Sequence, residues 1–345
     1  MRKTTFITHP ARRSIASAIA ALALFSTLGT AQAAVFKDAQ LESLQDAGKF
    51  AELEQVAQAR LKTNAADAEA SAALSLALSF SDAGDGKRLE AGAKQAKLCT
   101  DQHPNMAVCH LASAQSLGLQ MINMGMTKAM RNVGTLKESW IRALDLDPSS
   151  FTARVQLAKL YLTVPGLMGG SVSKAKELEA AVRSSQPETA RIIRVNIAAE
   201  DKKWAEMESE LLAIKPSKDG AMLEEIREAT LQLARIYLKD NKDLAKAKSL
   251  YEGLHRDQPS KASGSYGLSR VYAAQGQMDE AIRYLERART LSGADELPVD
   301  HRLGDAYLAK GDKAQAKAAY ERFIANKRAN PANVEDARKS LAKLG

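Results

Sequence analysis

Four basic side chains recur at one position of a repeated helical unit, and of all residues in the sequence they are the best candidates for binding a ligand. Lys159, Arg194, Arg235 and Arg270 each follow a small or apolar residue in four successive units, and Asp305 holds the same position in the fifth unit. A guanidinium donates hydrogen bonds in a fixed fork that matches a carboxylate. Two interpretations stay open. The cations bind an acidic segment or a chain-terminal carboxylate, or they are solvated and pair with neighbouring Glu and Asp side chains.

A second group of reactive side chains lies between Cys99 and Met130. Cys99 and Cys109 are the only cysteines, and they form a disulfide in an oxidising compartment if they face each other, or otherwise remain buried thiols. Soft thiolate and thioether ligands select Cu(I), although methionines at helical spacing are usually core residues. The region is therefore the alternative functional site, for a ligand or copper. Its other members are His103, His110, Met121, Met124, Met126 and Met130.

Catalytic and cofactor motifs are missing from the sequence. There is no nucleophile elbow, no His-Glu-x-x-His and no phosphate-binding loop. The glycine-rich insertion at residues 166–171 is interpreted as a surface loop, with Ser171 or Ser173 capping the next helix. We expect no enzyme activity, no cofactor and no resident metal.

A five-residue phrase that recurs in the sequence is the main evidence for the fold. It occurs at Leu157–Tyr161, Leu233–Tyr237, Leu268–Tyr272 and Leu303–Tyr307, and the last three copies are 35 residues apart. A turn and a second apolar block follow each copy. Apolar spacings of three and four on both sides of a turn predict antiparallel amphipathic helix pairs. The pattern resembles the tetratricopeptide repeat, whose unit is about 34 residues long.

This resemblance implies an all-α right-handed superhelical solenoid that serves as a binding scaffold. In that family the position after the small residue looks into the concave groove, so the resemblance implies that the cations and Asp305 line one groove. Tyr266 and His301 lie three residues before the small residues Ser269 and Gly304 and are expected to face the same groove. The implied partner is a protein or peptide, acidic or carboxylate-terminated. Chaperone-binding members of the family have Asn residues in their carboxylate clamp, and no such Asn follows the small residues of the units here.

The first 33 residues form a secretory signal pattern. A basic start with Arg12 and Arg13, an apolar run from Ile15 to Phe25, and small residues at Ala31 and Ala33 predict cleavage after Ala33. The general secretory route fits better than the twin-arginine route, which stays open. In a Gram-negative host the protein is expected in the periplasm. No other stretch is predicted to span a membrane.

The charge of the chain does not favour nucleic acid as a partner. The net charge is +8, and removal of the signal, which holds four basic and no acidic residues, leaves +4.

Eight helix pairs are predicted, with a break between Pro216 and Leu223. The predicted domains are irregular repeats at 34–220, regular repeats at 221–332 and a capping helix at 333–345.

Overall fold

A computed structural model shows a chain of α-helices joined by short turns. It describes residues 35–82, 84–217, 219–326 and 329–344. The predicted signal segment, residues 1–33, lies outside the described residues. Within the described ranges the extended structure is one isolated bridge, between Lys261 and Ser292. In the same ranges no helix combines the length and apolarity needed to cross a bilayer.

The contacts divide the chain into two compact units, one ending at Ile226 and one beginning at Arg227. We call them the N-terminal unit and the C-terminal unit. The division falls inside the helix Gly220–Lys239, whose first residue is also the last residue of the predicted irregular repeats. The N-terminal unit holds ten helices and the start of α11: α1 Ala39–Asp46, α2 Phe50–Thr63, α3 Ala68–Ser81, α4 Gly86–Gln102, α5 Ala107–Asn123, α6 Met126–Leu146, α7 Phe151–Thr163, α8 Val172–Ala180, α9 Pro187–Glu200, α10 Trp204–Leu212 and α11 Gly220–Lys239.

The C-terminal unit holds the rest of α11 and six more helices. From the helix that begins at Leu244 onwards, consecutive helices pack against each other, and the last is the short polar helix that the sequence predicts as a cap. A 3-10 turn, Ala294–Glu296, precedes α15. The helices are α12 Leu244–Asp257, α13 Ala262–Ala274, α14 Met278–Arg289, α15 Val299–Ala309, α16 Lys313–Ala325 and α17 Pro331–Ala342.

Local sequence signals explain where these helices begin and end. Ser171 caps α8 by accepting a hydrogen bond from the Lys174 amide at 3.3 Å, which confirms one of the two predicted caps. Gly276 and Gly311 adopt positive φ angles of 76° and 81° just after α13 and α15. A left-handed residue there ends a helix at little cost when it is glycine. Side-chain caps also start other helices, at Asp38, Asp67, Asp85, Ser150, Asp243, Asp312 and Asn330.

The repeated phrase packs the two helices of a pair together. Its Leu and its small residue are buried in every copy, as at Leu233 and Ala234 or Leu268 and Ser269. In the last copy the small residue is Gly304, and a Cβ atom there would lie 2.4 Å from the Tyr320 ring. The small residue therefore makes room for a bulky side chain from the facing helix.

Candidate partner-binding site

Lys159 is buried, so the prediction that it faces an open groove is wrong. Its side chain lies on α7, and its Nζ atom is 3.2 Å from both carboxylate oxygens of Glu225 on α11. Gln156, one turn earlier on α7, donates from Nε2 to Glu225 Oε1 at 2.9 Å. Only 8% of Lys159 and 3% of Glu225 is exposed. The charge of this first cation is neutralised inside the N-terminal unit.

Arg194 is also neutralised within the N-terminal unit. It lies on α9 and contacts two carboxylates, Glu179 on α8 and Glu210 on α10, with 3.0 Å from Nε to Glu210 Oε1. Arg183 binds the other oxygen of Glu179. Hydrogen bonds from Arg183 and Arg194 lower the pKa of Glu179, although its burial acts in the opposite direction. Arg194 therefore holds helices together and has little capacity left for a partner.

Arg235 and Arg270, in the C-terminal unit, are different. Arg235 is exposed on α11, and its Nε atom donates to the Leu231 carbonyl of its own helix at 3.1 Å. Arg270 is half-buried on α13, and its Nη1 atom lies 3.4 Å from the Tyr266 hydroxyl. Among the residues that the structure describes, neither guanidinium has a carboxylate within ion-pair distance. Both keep donors available for a carboxylate from another molecule.

Two tyrosines accompany these arginines. Tyr251 of α12 packs its ring so closely on α13 that a Cβ atom at Gly267 would lie 1.9 Å from it. Burial raises the pKa of Tyr251 to about 12, and the charges of Arg235 and Arg270 act in the opposite direction. These groups come from the three helices α11, α12 and α13. We call Arg235, Tyr266 and Arg270 the arginine–tyrosine face; Tyr251 is 3% exposed and is a core residue.

Asp305 lies next to this face but is not available to a basic ligand group. Its Oδ2 atom accepts from Arg302 Nη1 at 2.6 Å, and its Oδ1 atom accepts from the Tyr320 hydroxyl at 2.9 Å. Burial acts to lower the pKa of Arg302, but Asp305 and the Tyr266 hydroxyl together raise it above its usual value. The predicted site residue Asp305 therefore orients the Arg302 guanidinium on α15. Arg302 is a further cation next to the arginine–tyrosine face.

Like Lys159, His301 is predicted to face the groove but is buried. It has no exposed area and lies between the rings of Tyr320 and Phe323, at centroid distances of 5.9 and 5.2 Å. Burial lowers the pKa of His301, while the nearby carboxylates of Asp305 and Asp336 oppose that shift. The prediction that His301 contacts a partner is wrong because α16 and α17 cover it.

Tyr251 and Arg302 were missed by the sequence analysis. Tyr251 follows Ala247 by four residues, at a place where the repeat pattern predicts a core side chain. Its ring does lie in the core, and only the electrostatics of its hydroxyl connect it to the arginines. Arg302 precedes Gly304, the small residue of its unit, by two positions. The interval of three between Arg302 and Asp305 is the usable signal, since it places both on one face of a helix.

In the Cys99–Met130 region the two cysteines are joined by a disulfide. It links the end of α4 to the start of α5 across a Cα–Cα distance of 5.3 Å. An intact disulfide leaves no thiolate for Cu(I). Met121 is 1% exposed and belongs to the core, whereas Met126 is 41% exposed, so the methionines do not share one surface. Within the described residues no three His, Cys, Asp or Glu side chains converge as a metal site.

Comparison with known families agrees with this architecture. Residues 200–339, which include the arginine–tyrosine face, match the family described as tetratricopeptide repeat-like domain. This segment is similar to tetratricopeptide repeat-like domains. It starts in α9 and ends in α17. No curated protein matches the chain by sequence.

Solved structures extend the likeness in fold beyond that segment. The crystal structure of yeast Tom70 is similar over 100% of this chain, with a TM-score of 0.61 and 13% identity. The chain spans 66% of the Tom70 chain, slightly less than two thirds of it. A human IFIT1 dimer with PPP-AAAA matches 88% of this chain and 70% of that chain, with a TM-score of 0.50 and 13% identity. The predicted all-α fold of tetratricopeptide helix pairs is confirmed.

Proposed function

We propose that this protein is a non-enzymatic periplasmic scaffold that binds a protein or peptide partner on its arginine–tyrosine face. The partner presents an acidic segment or a terminal carboxylate, and the complex serves envelope or secretion assembly. Export is supported by the basic start, apolar run and small residues of the first 33 residues. The scaffold role is supported by the fold, since stacked helical repeats create extended binding surfaces.

One observation carries the proposal. Of the four cations at this position of the repeat, Lys159 and Arg194 are neutralised by buried or half-buried carboxylates, while Arg235 and Arg270 have no such partner among the described residues. The N-terminal unit pairs its cations at this position with its own carboxylates, whereas the described residues offer none to Arg235 and Arg270 in the C-terminal unit. Their positive charge is therefore available to a ligand. An acidic ligand is the matching chemistry.

Tyr266 adds an aromatic ring and a hydroxyl group to the charged face. Tyr266 is half-buried, and its hydroxyl lies beside the Arg270 and Arg302 guanidiniums. An aromatic ring with a polar tip offers apolar contact area and a hydrogen bond in one side chain. Apolar contact with the ring is expected to provide affinity, while the arginines orient the acidic group.

Photocrosslinking in cells tests this function and captures the partner in the same step. A photoreactive amino acid replaces Tyr266, and adducts are compared between the otherwise unchanged chain and the Arg235→Glu/Arg270→Glu variant. The control is Arg256→Glu/Arg283→Glu, because both arginines are exposed, lie on the second helices α12 and α14, and give the same change in net charge.

The expected result is a specific adduct that disappears in Arg235→Glu/Arg270→Glu and persists in the control. An adduct that survives the reversal of both charges would show that the arginine–tyrosine face does not bind the partner. Far-UV circular dichroism of both variants checks that the helices remain formed.

A further inference from the structure

The N-terminal unit carries a second binding surface, which is filled by the chain itself. We propose that the face of α7 that carries Gln156 and Lys159 is a receptor for an acidic, apolar helical segment. Residues 219–226 are its resident occupant, and a helical segment of the same chemistry from a partner protein displaces them. We call residues 219–226 the resident segment. The surface shares no residue with the arginine–tyrosine face.

Glu225 makes the contacts that a ligand carboxylate would make on this surface. One Gln156 amide hydrogen and the Lys159 ammonium converge on it, at 2.9 and 3.2 Å. Lys159 occupies the position after the small residue of the phrase, the same position as Arg235 and Arg270. A carboxylate from a different part of the chain, 66 residues away in sequence, therefore shows directly what this position binds.

Apolar side chains of the resident segment complete the contact. Ala221 and Met222 are buried in the cluster that also contains Leu157 and Ile193, and Ile226 packs against the same cluster. With Glu225 they occupy positions i, i+1, i+4 and i+5, which form one face of a helix. This is the pattern by which an amphipathic helix docks on a surface through anchors on successive turns. The surface accordingly selects small or flexible apolar residues three and four positions before an acidic residue.

The resident segment does not fit its surface completely. Among the residues that the structure describes, none donates a hydrogen bond to the buried Gln156 Oε1. At the start of the segment, Asp219 is 4% exposed, and its carboxylate accepts from the Met222 amide of its own helix at 3.0 Å. Burying a charged carboxylate is unfavourable, whereas Asn can form the same cap without the charge. A segment held at Glu225 and weakened by the buried charge at Asp219 is one that a partner with an uncharged capping residue can replace.

Hydrogen exchange on the unmodified full-length chain tests displacement. The probe is an acetylated, amidated synthetic peptide with the sequence of residues 219–232 that carries Asp219→Asn. Saturating peptide should increase exchange at the amides of residues 221–226 and leave those of α7 protected. A peptide that carries Glu225→Gln in addition is the matched control and should have no effect.

Substitution in the full-length chain gives an independent readout. The Glu225→Gln variant of the chain should bind the probe peptide about tenfold more tightly than the unmodified chain, because its own segment competes less well. Adding Lys159→Met should abolish that gain. Glu252→Gln, at an exposed position of α12, should behave like the unmodified chain.

The proposal fails if saturating peptide leaves exchange at residues 221–226 unchanged. It also fails if the amide hydrogens of residues 221–226 and of α7 exchange together, only through global unfolding of the chain. The same holds if the Asp219→Asn peptide and its Glu225→Gln control have equal effects on exchange. The exchange experiment uses the unmodified chain, so it remains decisive if Glu225→Gln does not fold. Neither result depends on Arg235 or Arg270, so the outcome is separate from that of the proposed partner-binding function.

Discussion

Lys159 and Glu225 form a buried ion pair between α7 and α11, with 3.2 Å from the ammonium nitrogen to each carboxylate oxygen. Their positions are 66 residues apart in sequence. A lone buried charge is far more costly than a paired one. The pair therefore fixes where the start of α11 lies within the N-terminal unit.

Removing one partner of this pair should destabilise the chain strongly. Glu225→Leu leaves the Lys159 charge buried and unpaired, and we expect it to lower the free energy of unfolding by about 3 to 5 kcal/mol. Lys159→Met/Glu225→Leu replaces both charges with apolar side chains and should cost much less. Urea denaturation of the two variants and of the Lys159→Met single variant completes a double-mutant cycle. Additive losses would show that the pair does not couple.

Gly304 should not tolerate even a methyl group. A Cβ atom there would lie 2.4 Å from the Tyr320 ring, whose hydroxyl is held by Asp305. Gly304→Ala is expected to destabilise the chain by about 1 to 3 kcal/mol because the ring must move. Gly134→Ala, in α6, is the control, because no atom of the described part of the chain lies within 4 Å of the new methyl group. It should be neutral or stabilising, since Ala favours helix. Equal thermal shifts for the two variants would contradict this packing.

Asp46 should make stability depend on pH. Burial, together with the charges of Glu42 and Asp219, raises the pKa of Asp46 from 3.8 to about 7. The folded chain then binds this proton more tightly than the unfolded chain does. The free energy of unfolding should therefore fall as pH rises from about 4 to about 7, and this contribution stays constant above that range.

Asp46→Asn should remove that loss and raise stability at pH 8 by about 1 kcal/mol, since partial exposure weakens the repulsion. Chemical denaturation at pH 5 and pH 8 measures the difference. Asp101→Asn, at an exposed carboxylate that pairs with Lys97, serves as the comparison. A gain that is the same at both pH values would argue against the raised pKa of Asp46.

The disulfide between Cys99 and Cys109 closes a short loop of sequence separation 10. Cys99→Ala/Cys109→Ala should lower the free energy of unfolding under oxidising conditions by about 3 kcal/mol, because the unfolded chain gains freedom. With a reductant that opens the disulfide, the unmodified chain should lose most of its advantage over the variant. An unchanged advantage under reduction would show that the disulfide is not the cause.

The helix pairs could be predicted from the sequence because their signal is local. The phrase Leu233–Tyr237 and its copies repeat at an interval of 35 residues, and glycines such as Gly276 end helices where the pattern breaks. Burial of the Leu and of the small residue follows from helical spacing alone. These features do not depend on distant parts of the chain.

The state of each cation could not be predicted in the same way. Glu179 and Glu210 lie 15 and 16 residues from Arg194, and Glu225 lies 66 residues from Lys159. Which carboxylate reaches which cation depends on how whole helices pack. The burial of His301 likewise depends on α16 and α17. The repeat therefore places a charged residue at the same position of each unit, and tertiary contacts decide whether that residue is paired with a carboxylate.

The affinity of the purified chain for the segment crosslinked at Tyr266 tests the central claim most directly. We would measure it for the unmodified chain, Arg235→Glu/Arg270→Glu and Arg256→Glu/Arg283→Glu by calorimetry at low and high salt. The account predicts at least about a tenfold loss for the first variant, a smaller loss at high salt, and no change for the second. Equal affinities for all three chains would contradict it.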